Sequence, residues 1–212
     1  MIAAAGTGGH VMPGLAVAQE MIARGWTVSW IGTTTGMESR LVAAYDLEFD
    51  ALEFTGMRGK GLGHMVKGAM KLVKACFKSK DLIDARQADA VFSTGGYIAV
   101  PSAYGARRQN IPLVMMNCDA DSLMSVRAVM PWADAVMCGF DGECAKRAGK
   151  KGIVSGNPVR NEILALPEPS VRYADRTGPL NVLVFGGSLG AKVLNETLPK
   201  TLAKFSLENR PK

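Results

Sequence analysis

Short apolar runs alternate with longer stretches whose apolar residues recur at three- and four-residue steps, from the first residue to about position 155. Such runs predict strands, and the stretches between them helices. The strands fall at residues 1–5, 27–32, 48–54, 89–93, 112–116, 134–138 and 152–155. The helices fall at 13–24, 37–45, 62–79, 98–108, 122–131 and 141–148. Strict strand–helix alternation predicts an α/β fold, a parallel sheet covered by helices on both faces.

The pattern breaks at 166–179, where Pro167, Pro169, Gly178 and Pro179 stand among charges without apolar period, as in a linker. A further strand at 181–185 then leads through a glycine turn into a helix ending near 204. One βα unit cannot bury its own faces, so a second domain is expected to begin here. The expected organisation is a domain over 1–165, a linker over 166–179 and the start of a truncated second domain over 180–212. The short first strand suggests that the amino end is cut as well.

Composition narrows the class. With 48% apolar residues in 212, the chain can bury a sizeable core, which excludes disorder. No run of 18 apolar residues occurs, and the opening Met1-Ile2-Ala3-Ala4-Ala5-Gly6 lacks the basic flank of a signal peptide, so a cytoplasmic location is expected. Cys76, Cys118, Cys138 and Cys144 match no metal spacing and are read as thiols acting as small apolar residues. The net charge of +6 belongs to one segment: seven Lys and Arg and no acid lie between Arg58 and Lys80, leaving 18 bases against 19 acids elsewhere.

Three glycine turns follow three strands: Gly6-Thr7-Gly8-Gly9-His10, Thr94-Gly95-Gly96-Tyr97 and Gly186-Gly187-Ser188. Where a strand ends and a helix starts, free backbone N–H groups and the positive end of the helix dipole favour anions, and glycine lets a ligand approach the backbone. One such turn is only a tight connection; three together point to a nucleotide or pyrophosphate ligand. The dinucleotide fingerprint fails, because Val11 stands where its third glycine belongs and the second strand ends in Trp30-Ile31-Gly32-Thr33 without an acid. The P-loop fails at Leu15-Ala16, which replace its lysine and hydroxyl. Asp119-Ala120-Asp121 has the form of a metal-binding acid pair, a form that an acidic loop also produces by chance. His10 suits two roles, a cap on the following helix or a general base beside phosphates.

In the basic segment, Leu62, Met65, Val66, Ala69, Met70, Val73, Cys76 and Phe77 recur at helical steps, with Lys67, Lys71, Lys74 and Lys78 on the opposite face. Two readings stand: a helix packed on the sheet with solvated lysines, or a docking surface for anionic lipid headgroups. Nucleic acid is disfavoured, because no aromatic platform interleaves the charges.

Taken in order, Gly6-Thr7-Gly8-Gly9-His10-Val11-Met12-Pro13-Gly14-Leu15-Ala16, Gly56-Met57-Arg58-Gly59-Lys60-Gly61, Thr94-Gly95-Gly96-Tyr97, Gly156-Asn157-Pro158-Val159-Arg160 and Gly186-Gly187-Ser188-Leu189-Gly190-Ala191 give the chain a specific resemblance to the MurG glycosyltransferases of glycosyltransferase family 28. The resemblance implies a GT-B architecture of two Rossmann-like domains, the first binding a lipid-linked acceptor and the second UDP-N-acetylglucosamine. It implies inverting transfer of GlcNAc to the C4 hydroxyl of MurNAc in lipid I, undecaprenyl-pyrophosphoryl-MurNAc-pentapeptide, giving lipid II without a bound metal or other cofactor. The enzyme would sit peripherally on the cytoplasmic face of the bacterial inner membrane, against anionic lipids.

Carried over residue by residue, His10 is the implied base, with Thr7, Gly8 and Gly9 against donor or acceptor phosphates. Gly95, Gly96 and Tyr97 face the lipid pyrophosphate, and Arg160 and Ser188 contact the UDP portion. The chain departs from the family after the fifth strand, reading Met116-Asn117-Cys118-Asp119 in place of His-Glu-Gln-Asn. The glutamate is lost, and Asp119 becomes the donor-binding candidate. Most of the family's donor pocket lies past position 212, so the fragment alone is expected to be inactive. Alternatives are a related GT-B enzyme with another acceptor and a non-catalytic module that binds phosphates and membranes.

Overall fold

The first strand is built from small residues because of what lies beside it. Ile2–Ala4 (β1) is fully enclosed, and the indole of Trp30 on the next strand is buried with its Nε1–H donating to the Ala4 carbonyl at 3.0 Å. Gly14 on Gly8–Ala23 (α1) makes room for that ring, since a Cβ there would stand 2.8 Å from Trp30 Cη2. Helix and sheet therefore meet closely around one large side chain.

The computed structural model describes the chain except residues 55–61, 179, 188–190, 207, 209 and 212, with backbone only at 62 and 64. The elements that follow are Ser29–Thr33 (β2), Glu38–Ala43 (α2), Glu48–Leu52 (β3), Leu62–Ala85 (α3), Val91–Gly95 (β4), Ala99–Gln109 (α4), Leu113–Asn117 (β5), Met124–Val129 (α5), Ala135–Cys138 (β6), Glu143–Ala148 (α6), Gly152–Val154 (β7) and Asn161–Leu164 (α7). The seven strands form one parallel sheet in the order β3-β2-β1-β4-β5-β6-β7. Side chains alternate between its faces: Ile2, Ala4 and Trp30 join Val11, Leu15 and Val42 on one, and Ala3, Ala5 and Ile31 join Ile83, Ala103 and Val126 on the other. Both faces are covered, which is why the strands read as unbroken apolar runs.

Helix α3 runs six residues beyond its expected end at 79. Ala75, Ser79 and Ile83 form its buried line, and α4 approaches closely at Gly105, where a Cβ would stand 2.7 Å from Ile83 Cδ1. Just past the helix, Arg86 grips Asp50 through Nε (2.8 Å) and Nη2 (3.1 Å) and reaches Glu48 at 3.0 Å, tying this corner to β3.

The chain divides into two compact units, Met1–Leu164 and Ala165–Lys212. The second contains Pro169–Arg172 (α8) and Lys192–Leu202 (α9). The strand expected at 181–185 is not formed. A strand is held by ladder bonds to a neighbour, and among the described residues of this unit there is none. Leu183 and Phe185 stand largely exposed in consequence.

Candidate functional site

The strand order reverses between β1 and β4: β1 is followed by β2 and β3 to one side, and β4 opens the run to the other. At such a point the βα connections leave in opposite directions and a crevice opens beyond the carboxyl ends of the strands. The turns after β1 and after β4 both lie at this point.

In the first turn, Thr7 is extended (φ −93°, ψ 164°) and its carbonyl accepts the N–H groups of His10 (2.9 Å) and Val11 (3.2 Å). The Gly6 N–H is taken by the buried Glu38 carboxylate. That leaves the amides of Gly8 and Gly9, which open the helix and have no carbonyl one turn back, at the positive end of the 16-residue α1. The Thr7 hydroxyl makes no capping bond. Two amides and a hydroxyl around one helix start suit the oxygens of a phosphoryl group.

His10 stands between the two turns. Its Nδ1 lies 3.0 Å from the Thr94 carbonyl oxygen, which can only accept, so Nδ1 carries a proton, and in the neutral form of the ring the lone pair falls on Nε2. The Thr94 hydroxyl returns a bond to the His10 carbonyl at 2.8 Å. The imidazole borders both turns, within 3.7 Å of where Cβ atoms on Gly6, Gly95 and Gly96 would stand. Gly95 and Gly96 have φ of +97° and +81°, a region glycine enters without strain. A Cβ on Gly96 would also run into the Ala5 carbonyl oxygen, and the Tyr97 ring lies 3.8 Å from a Cβ on Gly6.

The neighbouring loop after β5 is organised by Asn117, which is fully buried. Its Nδ2 donates to the carbonyls of Asp119 (2.7 Å) and Asp121 (3.1 Å), and its Oδ1 accepts the Leu123 N–H. Asn157 donates to the Cys118 carbonyl at 3.1 Å, bringing the segment after β7 back over β5. Burial, then the Asp119 charge, pushes the Cys118 thiol up to about 11. In the acid pair, Asp121 accepts the Ser122 N–H (2.6 Å) and the Arg127 guanidinium (2.8 and 2.9 Å), which hold it below the usual carboxylate range.

Thr7, Gly8, Gly9, His10, Gly95, Gly96 and Tyr97 thus converge on the β1–β4 crevice. Asp119 is exposed on the adjoining β5–α5 loop. Arg160 lies past β7, half-buried, its carbonyl accepting the N–H groups of Ile163 and Leu164. Ser188 and the whole of the 56–61 motif lie outside the described residues.

Lys67, Lys71, Lys74 and Lys78 are exposed along α3. Of the two readings of that helix, the packed one does not hold for its whole apolar stripe: Met65 (67% exposed), Met70 (68%), Val66 and Val73 are exposed, and Phe77 (55%) meets only the edge of Tyr104 at 5.8 Å. The buried line runs instead through Ala75, Ser79 and Ile83, where α4 packs against the later turns of α3. Lys71, Lys74, Lys78 and Phe77 border a cavity of about 560 Å³ against Leu52 of β3. Among the described residues, no helix is long and apolar enough to cross a membrane.

Sequence reasoning missed Glu38. An acid five residues past the end of β2 is near the place where dinucleotide folds keep a ribose-binding carboxylate, and that was the available signal. Here the carboxylate is fully buried and turned toward Thr33 and Gly6.

Comparison with known proteins gives a consistent picture. The profile of the glycosyltransferase family 28 N-terminal domain matches residues 1–138. The chain is 52% identical to the UDP-N-acetylglucosamine--N-acetylmuramyl-(pentapeptide) pyrophosphoryl-undecaprenol N-acetylglucosamine transferase of Methylibium petroleiphilum and 50% identical to the protein of that name from Chromobacterium violaceum, over all of this chain and 58% of each relative. The crystal structure of Acinetobacter baumannii MurG superposes with a TM-score of 0.78 at 33% identity, covering 97% of this chain and 57% of that one. A Staphylococcus aureus MnaA–UDP structure shares the fold at 10% identity, with a TM-score of 0.58 over 96% of this chain and 59% of that one. The chain spans somewhat under three-fifths of the relatives it matches.

Proposed function

Since the chain belongs to glycosyltransferase family 28, we propose that it is the amino-terminal part of an inverting enzyme that moves GlcNAc from UDP-GlcNAc to the C4 hydroxyl of MurNAc in lipid I, giving lipid II and UDP. In this reading residues 1–165 form the acceptor- and membrane-binding domain of a GT-B enzyme, 166–179 a linker, and 180–212 the start of the UDP-sugar domain. The observation that carries it is the pair of turns at the β1–β4 crevice with His10 between them, its Nδ1 held on the Thr94 carbonyl and Nε2 left for a substrate proton.

Chemically, His10 Nε2 takes the proton of the C4 hydroxyl as that oxygen attacks the anomeric carbon of GlcNAc. The bond from that carbon to the UDP oxygen breaks, and UDP leaves as an anion. Gly8, Gly9 and Thr7 hold the acceptor diphosphate with Gly95, Gly96 and Tyr97, while Asp119, Arg160 and Ser188 serve the donor. Helix starts and Arg160 stabilise the departing charge, so the scheme calls for no metal.

The α3 surface supports peripheral attachment to the cytoplasmic face of the inner membrane. Exposed apolar side chains beside Lys67, Lys71, Lys74 and Lys78 match a lipid interface better than plain solvation, with about 1 kcal/mol expected for each lysine near an anionic surface. The direct test is transfer of radiolabelled GlcNAc by the full-length protein to a lipid I analogue. Transfer to other acceptors but not to this one overturns the assignment.

A further inference from the structure

Glu38 is the one fully buried acid among the described residues of the core, and the scheme above gives it no part. Every contact it makes comes from a donor. Oε1 accepts the Thr33 N–H at 2.8 Å and the Thr33 hydroxyl at 2.6 Å, and Oε2 accepts the Gly6 N–H at 3.4 Å. A carboxylate, with acceptors only, is the side chain these donors require. The surrounding chain is shaped to admit it: a Cβ on Gly36 would collide with both carboxylate oxygens, and one on Gly32 would stand 2.8 Å from Glu38 Cγ.

These bonds join the ends of two neighbouring strands. Thr33 closes β2, and Gly6 is the first residue of the turn after β1. By taking the Gly6 amide, Glu38 removes it from the set facing a ligand and sets the direction in which the chain leaves β1. That direction aims the Gly8 and Gly9 amides.

We propose that Glu38 is a positioning residue for the first glycine turn, acting on the binding of the acceptor diphosphate without touching it. The inference rests on the proposed transfer reaction. In Glu38→Gln, the amide oxygen can serve Thr33, but the amide nitrogen then faces the Gly6 N–H, donor against donor, and the turn must shift.

The test uses the full-length protein as wild type, Glu38→Gln and Thr33→Val, with folded fraction followed by thermal melting. For folded Glu38→Gln the expected result is a five- to tenfold rise in KM for a lipid I analogue with KM for UDP-GlcNAc within twofold. A role confined to stability lowers the amount of active enzyme, which scales the maximal rate and leaves both KM values in place. Unchanged KM values, or equal rises in both, overturn the proposal. Should Glu38→Gln not fold, Thr33→Val gives the same comparison, since it frees one carboxylate contact while keeping the charge; a selective rise of two- to fivefold supports the role and none refutes it. Failure of the wild type to transfer GlcNAc sinks the parent reading instead, a result separable from any difference between variants.

Discussion

Gly8→Ala separates a glycine required by a ligand from one required by the fold. Gly8 is the first residue of α1, its φ is not positive, and a Cβ there meets nothing within 4 Å. The protein itself therefore has room for the methyl group. Alanine in a helix is favoured over glycine by roughly 0.5–1 kcal/mol, less at an end, so the melting temperature should hold or rise by about 2 °C. The open space beside the Gly8 amide is where a phosphoryl oxygen would bind. A methyl group that holds the oxygen off one amide removes a charge-assisted hydrogen bond worth roughly 1.5–3 kcal/mol, which is about a tenfold to hundredfold loss in kcat/KM at 1.36 kcal/mol per decade. Radiolabelled transfer to a lipid I analogue, run beside a thermal melt of the same preparation, reads both quantities. A stable variant with wild-type kcat/KM would refute the claim that this turn grips phosphate.

Gly96→Ala should behave oppositely, losing stability and activity together: left-handed backbone costs alanine roughly 1–2 kcal/mol, and the methyl group meets the Ala5 carbonyl; an unchanged melt would contradict this packing. His10→Ala is expected to lower kcat by about 100-fold or more without affecting vesicle binding, and wild-type turnover would remove the base. Replacing Lys67, Lys71, Lys74 and Lys78 with glutamate should abolish co-sedimentation with anionic vesicles at low salt, an effect that fades as salt screens the wild type; equal binding by both proteins would leave α3 without a membrane role. With its pKa pushed up to about 11, Cys118 should alkylate slowly at pH 8 and about tenfold faster per pH unit up to that value, and peptide mapping that finds rapid labelling at pH 8 would show the thiol to be less enclosed.

The parts of this molecule that could be read from residue order are those governed by neighbours in the chain. Strands such as Val91–Gly95 announce themselves because both faces are buried, and the turns at Gly6 and Gly95 because glycine follows an apolar run. What depends on distant partners could not be read. Glu38 looks like an ordinary first-turn acid until Gly6, 32 residues away, is found beside it. The α3 stripe has helical period at Met65, Met70 and Phe77, yet period says nothing about whether a sheet lies opposite. The segment at 181–185 has the composition of a strand and lacks the neighbour that would make it one. The His10 tautomer needed the Thr94 carbonyl, 84 positions along the chain.

That carbonyl and the Thr94 hydroxyl hold both the ring and the main chain of His10, one bond in each direction. A histidine whose ring is already held on a carbonyl has no rotamer search to complete when a sugar hydroxyl arrives. The freedom it lacks was given up during folding, so the encounter itself carries a smaller loss of entropy, and the temperature dependence of turnover should reflect bond making more than side-chain ordering.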